Sequence, residues 1–541
     1  MNTEQSDLRP TDAEPAHDSL KPEVPMVPMS TDGFDPQPKV EKQKPRPKLV
    51  FWPGDNVTTL HAVSDLLRQV PYLFERGGPV RIVQDSNGPR IEALSYEAVI
   101  IEVSKRADVF RASMKNGEVI EKPASLPVAV ARLYPHLEGE RGLRPLNGVT
   151  SAPILHADGS FTAVEGYDPG TGLWQHKVPQ LNVPDQPSLQ QAEAALAQLR
   201  ERFSTFPFAD AEMEHNPALG IPTVRQDRPP GLDESSYLTG LLTAVARPSL
   251  PLAPGMVIRA PMQSGSGSGK GLLAKCAAIV ATGSYPDAIT AGHDAAEFDK
   301  RLNSSLILGS PFIFLDNFNG TGLRSDTLAS AVSEPNVQLR AFGSSASIKT
   351  TCRSFICVTG NGLDLSEDLV SRFMNVELDA RTDDPETRRM PAGFIEGINL
   401  DRAQLLDDVL TIIRYGIQNP KPGLPLRNFD EWAQSCRDSL LALGATDPVL
   451  RLQTVKANDP MREHHTAIMN AWQKEHGSEP VAVTALDRSV ADLIAPGATR
   501  QALAAKVRSL VGMRIGNRQL VVARPATEND PTMYMIAFSQ T

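Results

Sequence analysis

Met256-Val-Ile-Arg-Ala-Pro-Met-Gln-Ser-Gly-Ser-Gly-Ser-Gly-Lys-Gly-Leu-Leu-Ala-Lys275 decides how the chain is read. It runs from an apolar, β-branched strand through a glycine-rich loop into an apolar helix. That is the context a phosphate-binding loop requires. Glycines at 265, 267 and 269 let the backbone curl so that its N–H groups point inward, and the helix start adds its positive dipole end. Ser264, Gly265, Ser266, Gly267, Ser268, Gly269, Lys270 and Gly271 are the expected cradle, with Lys270 reaching the outer phosphates. The pattern departs from G-x-x-x-x-G-K-[S/T] at both ends. Ser264 replaces the first glycine, and Gly271 replaces the hydroxyl residue that would ligate magnesium. A flexible Gly/Ser linker has similar composition, but it would not join a Val-Ile strand to an apolar helix.

Farther along, Pro311-Phe-Ile-Phe-Leu-Asp-Asn317 is an apolar run ending in an acid. It reads as a buried parallel strand with Asp316 at its carboxyl edge, where α/β sheets bind ligands. Spaced after a phosphate loop, Asp316 is expected to hold Mg²⁺, and the loop to hold ATP. Asn317 stands where a second acid is usual; it orients water but takes no proton. Glu297 and Glu334 are candidate general bases, each also readable as a surface residue. A third strand, Ser354-Phe-Ile-Cys-Val-Thr-Gly-Asn361, ends on Asn361, a candidate γ-phosphate contact or a plain turn asparagine. Arg372 precedes the strand-like Met374–Leu378. It can act as an arginine finger in a neighbouring subunit, or pair locally with Asp368 at i−4.

These motifs resemble a known group: the AAA+ helicase-type ATPases of phages, plasmids and integrated elements, close to superfamily 3 helicases and the helicase half of primase-helicases. Ser-Gly-Ser-Gly-Lys-Gly-Leu-Leu (266–273), Phe-Leu-Asp-Asn (314–317), Thr-Gly-Asn (359–361), Asp-Leu-Val-Ser-Arg (368–372) and Glu-Leu-Asp (377–379) carry the resemblance. Pro145–Val149, Ala152-Pro153, Gly166–Asp168 and Phe206–Phe208 look like the region that precedes such a core. Phe429–Trp432, Leu443–Pro448 and Trp472 look like the helical extension that follows. The resemblance spans roughly residues 70–541 and implies a homo-oligomeric, hexameric ring that couples ATP hydrolysis to movement along DNA. No primase-like pattern stands in residues 1–180.

The chain's 541 residues, net charge of −10 and 41% hydrophobic content fit a multidomain globular protein. A whole surface coating nucleic acid would be basic, so any such contact is local. Residues 1–48 carry nine prolines and nine acids and are expected to form a disordered arm. The arm ends in the basic run Lys39–Lys48, read as a linker or a weak nucleic-acid contact. Residues 49–180 are expected to form an N-terminal α+β domain, 186–390 the ATPase, 395–475 a helical extension and 478–541 a winged-helix-like domain.

Within these, Val80–Val83, Ala98–Val103 and Ala152–Leu155 read as strands. His61–Val70 reads as a helix capped by Thr58 or Thr59, and Gly166–Gly172 as a structural loop. Ser188–Phe203, Leu238–Ala246, Arg402–Tyr415 and Ala498–Val511 read as helices. Leu493–Thr527 contains no acid, while Arg500, Lys506, Arg508, Arg514, Arg518 and Arg524 all lie in it or beside its strands. That local excess is the electrostatic sign of a DNA-binding face, or of a solvated surface, since 500, 506 and 508 do not share one helix face. Cys276, Cys352, Cys357 and Cys436 match no zinc spacing and read as buried thiols in a reducing, cytoplasmic setting. No run reaches membrane-helix length. Three activities remain open: a helicase or translocase on single-stranded or forked DNA, a nucleotide-gated DNA-binding or assembly protein, and a remodeller of a protein partner.

Overall fold

The computed structural model describes residues 46–85, 88–262, 266–292, 294–320, 322–340, 347–426, 428–451, 460–527 and 530–538. Residues 1–45, on which most of the expected arm falls, lie outside the described residues, as do Ser264 and Gly265.

The chain from Lys48 onward forms one contact unit. At its centre is a five-stranded, all-parallel sheet. Two helices lead into it, α1 (Leu189–Phe203) and α2 (Leu232–Ala246). The strands are β1 (Gly255–Ala260), β2 (Ala288–Thr290), β3 (Phe312–Asp316), β4 (Phe355–Asn361) and β5 (Phe373–Glu377). They lie in the order β2-β3-β4-β1-β5, every pair parallel. Helices α3 (Lys270–Thr282), α4 (Ala295–Ile307) and α5 (Asp326–Ser333) fill the crossovers. β1, β3, β4 and β5 are buried along nearly their whole length. Parallel strands covered on both faces read as continuous apolar runs for that reason.

The chain leaves β1 for the far edge at β2, steps back through β3 and β4, then crosses to β5 beyond β1. This places a change of winding direction at β1 and β4, and open α/β sheets form their crevice at the carboxyl ends of strands there. α1 starts at Ser188, which accepts from the Gln191 N–H while the Gln191 side chain returns to Ser188 N–H, a reciprocal cap. α6 (Arg402–Gln418) packs against α1, and buried Arg402 donates to the carbonyls of Ile279, Val280, Ala281 and Ser151. It thereby serves the Val280 and Ala281 carbonyls of the last turn of α3 and shares the Ile279 carbonyl with the Gly283 N–H.

Between β3 and β4 an antiparallel hairpin pairs Asn336–Arg340 with Ser347–Thr351. Its base meets the region that precedes the core. Buried Arg76 donates to Leu146, Asn147, Leu306 and Thr351 carbonyls. The C-terminal region combines helices Pro460–His476, Arg488–Ile494 and Arg500–Leu510 with an antiparallel sheet. The sheet order is Val481–Ala482, Met533–Phe538, Arg518–Arg524, Arg514–Ile515. Trp472, Val490, Val507, Leu520, Tyr534 and Ile536 form its own core.

Several local expectations need correction. Ala98–Val103 is not a strand but part of a helix, Tyr96–Arg106. Ser95 caps it, and Ala98, Val99, Glu102 and Val103 are its buried face, a 3.6-residue period that the short apolar run concealed. The first helix is Asn56–Leu67, earlier than His61–Val70, because Asp55 rather than Thr58 or Thr59 is the cap, accepting from the Thr58 N–H. Gly166–Gly172 is no loop throughout: Gly166–Asp168 pairs antiparallel with Leu173–Gln175 around a turn. Asp168 closes that turn by accepting from Thr171. α2 starts at Leu232, not Leu238, because it is buried all round and carries no polar face to mark its first turns. The four cysteines are buried, unbridged thiols. Among the described residues no helix is long and apolar enough to cross a membrane.

Candidate functional site

Three strand ends converge at the carboxyl edge of the sheet. From β1 the chain enters the glycine loop. Gly267 and Gly269 have φ of +78° and +97°, and Lys270 opens α3. At Gly267 a Cβ would come within 2.5 Å of the Glu386 backbone nitrogen. Only glycine supplies both that backbone shape and that closeness. Ser266 and Gly267 are exposed, whereas Ser268 is buried. Arg388 clamps the loop from behind by donating to the Ser268 carbonyl at 3.1 Å and to the Thr205 carbonyl. That contact engages the Ser268 carbonyl, while the first amides of α3, at the end of β1, have no acceptor within the helix.

Lys270 donates to Ser268 Oγ at 3.1 Å. Burial lowers its ammonium to about 8, against an upward pull from the Asp316 carboxylate. Partial desolvation makes the positive charge costly until a ligand of opposite charge arrives.

Asp316 ends β3 half-buried. It accepts a hydrogen bond from the Thr359 hydroxyl, and that hydroxyl accepts from the Asn317 N–H at 3.3 Å. Asn317 takes φ +68°, and its side-chain oxygen accepts from the Asn319 amide at 2.6 Å. The Asn319 oxygen in turn accepts from the Asn361 N–H at 2.7 Å. This amide relay ties the ends of β3 and β4 together. Gly360 is required between them, because a Cβ there would lie 2.1 Å from the Phe318 carbonyl oxygen. The Asn361 side-chain oxygen is buried with no hydrogen-bond partner among the described residues. A buried polar atom left so is costly unless something joins it.

Gly271 faces the same carboxylate. A Cβ built at 271 meets only Asp316 Oδ1 at 3.8 Å and Phe314 at 4.0 Å, ordinary contact distances. Mg²⁺ keeps several waters and is commonly held by one or two carboxylates plus substrate phosphates. One carboxylate beside a side-chain-free position 271 and the start of α3 is a donor set that fits that ion.

Of the residues named from sequence, Lys270, Gly271, Asp316, Asn317 and Asn361 are brought to one edge. Arg372 is not. It sits at the amino end of β5, where its carbonyl accepts from Gly255 N–H. That is the full depth of the sheet away, about 17 Å at roughly 3.3 Å per residue. There it pairs with Asp368 at 2.7 Å. Glu297 is half-buried and paired with Lys300 and Arg301, and Glu334 is an exposed helix-end residue, so neither is gathered to Asp316. Thr359, Arg388 and Glu386 were missed as site residues. A Thr two positions before a strand-end Asn was the only sequence signal for the first. The other two reach the loop from more than a hundred residues along the chain and left no local signal.

In the C-terminal region Arg500, Lys506, Arg508, Arg514 and Arg524 are exposed. Arg514 and Arg518 donate to neutral amide oxygens of Gln519 and Asn470. Among the described residues none of these six cations is ion-paired to an acid.

No family model matches the chain, and no curated protein matches it. Solved structures that resemble it include two of the NrS-1 C-terminal region in its apo A form. They share 10% and 13% identity, cover 61% of this chain and 84% and 82% of theirs, and both have a TM-score of 0.30. A third is JCV helicase bound to a small molecule, with 13% identity, 44% of this chain, 64% of that chain and a TM-score of 0.21. At these TM-scores the likeness carries no argument about this chain.

Proposed function

We propose that residues 186–390 form a P-loop ATPase domain of AAA+ type and that the chain is an ATP-dependent DNA helicase or translocase. The observation that carries the reading is the meeting of Lys270, the glycine loop and Asp316 at one sheet edge. In this reading the loop amides bind the triphosphate oxygens and Lys270 donates to the outer ones. Asp316 holds Mg²⁺, which when bound neutralises charge on the phosphate oxygens. Asn361 contacts the γ-phosphate and Asn317 orients the attacking water. Residues 49–180 are a separate α+β domain, 395–475 a helical extension and 478–541 a winged-helix-like domain. The cations 500, 506, 508, 514 and 518, which have no acid partner among the described residues, form the DNA-binding face, which takes single-stranded or forked DNA. Arg372, at the opposite edge from Lys270, acts on the site of the next copy in a homo-oligomeric, hexameric ring.

ATP turnover measured with and without single-stranded DNA, beside mass photometry with nucleotide, tests this. DNA-stimulated turnover that Lys270→Ala removes is the expected result. Turnover indifferent to both DNA and Lys270→Ala would defeat it.

Asn317 and Gly271 favour a second reading, a nucleotide-gated DNA-binding or assembly protein with weak hydrolysis. Nucleotide-dependent assembly with no measurable turnover would select it.

A further inference from the structure

We infer that Thr359 is the positioning residue for the metal-holding carboxylate, supplying from β4 the constraint that position 271 cannot supply from α3. The inference rests on the nucleotide-site reading above. A lone aspartate at a strand end can turn about its side-chain torsions, and a carboxylate that wanders is a poor ligand for an ion demanding near-ideal geometry. Here the Thr359 hydroxyl donates to Asp316 Oδ1 and accepts from the Asn317 N–H, so both its polar directions are used. The threonine side chain is itself 1% exposed, so it has no solvent to turn toward.

The oxygen it holds, Oδ1, is the same oxygen that lies 3.8 Å from a Cβ placed at 271. A hydroxyl there would compete for, or share, that atom. Gly271 has no left-handed backbone requirement and only ordinary contacts around the added carbon. A serine therefore fits, and the two hydroxyl positions are alternatives acting on one atom.

The test measures binding of a fluorescent ATP analogue to the full chain, in Mg²⁺ and in EDTA, for wild type, Thr359→Val, Thr359→Ala, Thr359→Ser, Gly271→Ser and Gly271→Ser/Thr359→Val. Thermal melting of each accompanies it. In wild type Mg²⁺ strengthens binding. Thr359→Val and Thr359→Ala are expected to lose about tenfold of that strengthening, the size of one hydrogen bond to a charged group, with the EDTA affinity within about twofold. Thr359→Ser keeps it. Gly271→Ser strengthens the Mg²⁺ effect less in wild type than in Thr359→Val, where it restores most of the loss, a non-additivity expected of two groups serving one atom.

An unchanged Mg²⁺ effect in Thr359→Val and Thr359→Ala would overturn the inference. So would an equal loss in EDTA, which marks a purely structural role, or a double variant no better than Thr359→Val. If wild type binds no analogue at all, the nucleotide-site reading fails and this inference with it. If wild type binds and the threonine variants match it, only this inference fails.

Discussion

At the amino edge of the central sheet Arg247 is fully enclosed and donates to the carbonyls of Ser354, Leu250 and Cys352. At the carboxyl edge Lys270 donates to a serine hydroxyl and lies in the field of Asp316. Burial lowers both cations, to about 10 for Arg247 and about 8 for Lys270. The difference lies in what receives their protons. Arg247 serves backbone carbonyls, so its charge is used in joining the segment before β1 to the segment before β4. Lys270 opens α3 beside the acid that ends β3, where an anionic ligand can join its partners. A buried cation is evidence of function only when its partners are not the fold's own carbonyls.

That contrast can be broken in several ways. On the proposed ring arrangement, Arg372→Ala lowers ATP turnover of the assembled protein by about 10³-fold. Nucleotide affinity, read by equilibrium titration, stays near wild type, since Arg372 is a sheet's depth from Lys270. Loss of affinity instead would place Arg372 in the site of its own chain. Arg247→Met leaves three carbonyls unsatisfied and costs about 3 kcal/mol or more of stability, seen as early melting. A variant that melts with wild type would show that the amino edge does not depend on it. Lys270→Ala melts near wild type but weakens nucleotide binding by about 10- to 100-fold, the size of a charged hydrogen bond. Equal damage by both substitutions to melting would erase the distinction between the edges.

Much of this edge was legible in the residue order. The glycine loop, the apolar β3 run and the Thr-Gly-Asn end of β4 are local patterns, and a parallel sheet buried on both faces writes them as unbroken hydrophobic stretches. The strand order could not be read, because nothing local tells β1 to lie between β4 and β5. Nor could the clamp by Arg388, whose partners are Ser268 and Thr205. The helix Tyr96–Arg106 was misread for a related reason. Its buried Glu102 is held by Tyr72, Lys105 and Arg106, and a charge that finds such partners ceases to mark a surface.

The pH dependence sharpens the contrast further. Lys270 has its folded value lowered from 10.5 to about 8. Below pH 8 it is charged folded and unfolded, and the fold bears the desolvation cost. Above 10.5 it is neutral in both, and the cost is gone. Stability of the ligand-free protein at this group therefore rises between about pH 8 and 10.5. Phosphate binding needs the charged form, so nucleotide affinity falls over the same range, approaching about tenfold per pH unit. Calorimetric titrations in buffers of different ionisation enthalpy should show proton uptake on binding near pH 8.5. Proton release, or none, would refute the shift. The smallest effect belongs to the C-terminal cations. Arg508→Glu with Arg514→Glu lowers the slope of log affinity for single-stranded DNA against log salt by about 2. An unchanged slope would move the DNA contact elsewhere on the chain.

Arg76 carries a mechanical implication. One guanidinium holds carbonyls from both sides of a seam: Leu146 and Asn147 ahead of the core, Leu306 and Thr351 within it. Gly77 beside it lies so close that a Cβ would meet the Ile348 side chain at 2.4 Å and the Lys349 carbonyl at 2.8 Å. Sliding along this seam would strand several acceptors at once, at about 1–3 kcal/mol each. A tilt of the hairpin root therefore either breaks these contacts or carries Arg76 and the Leu146–Asn147 segment with it.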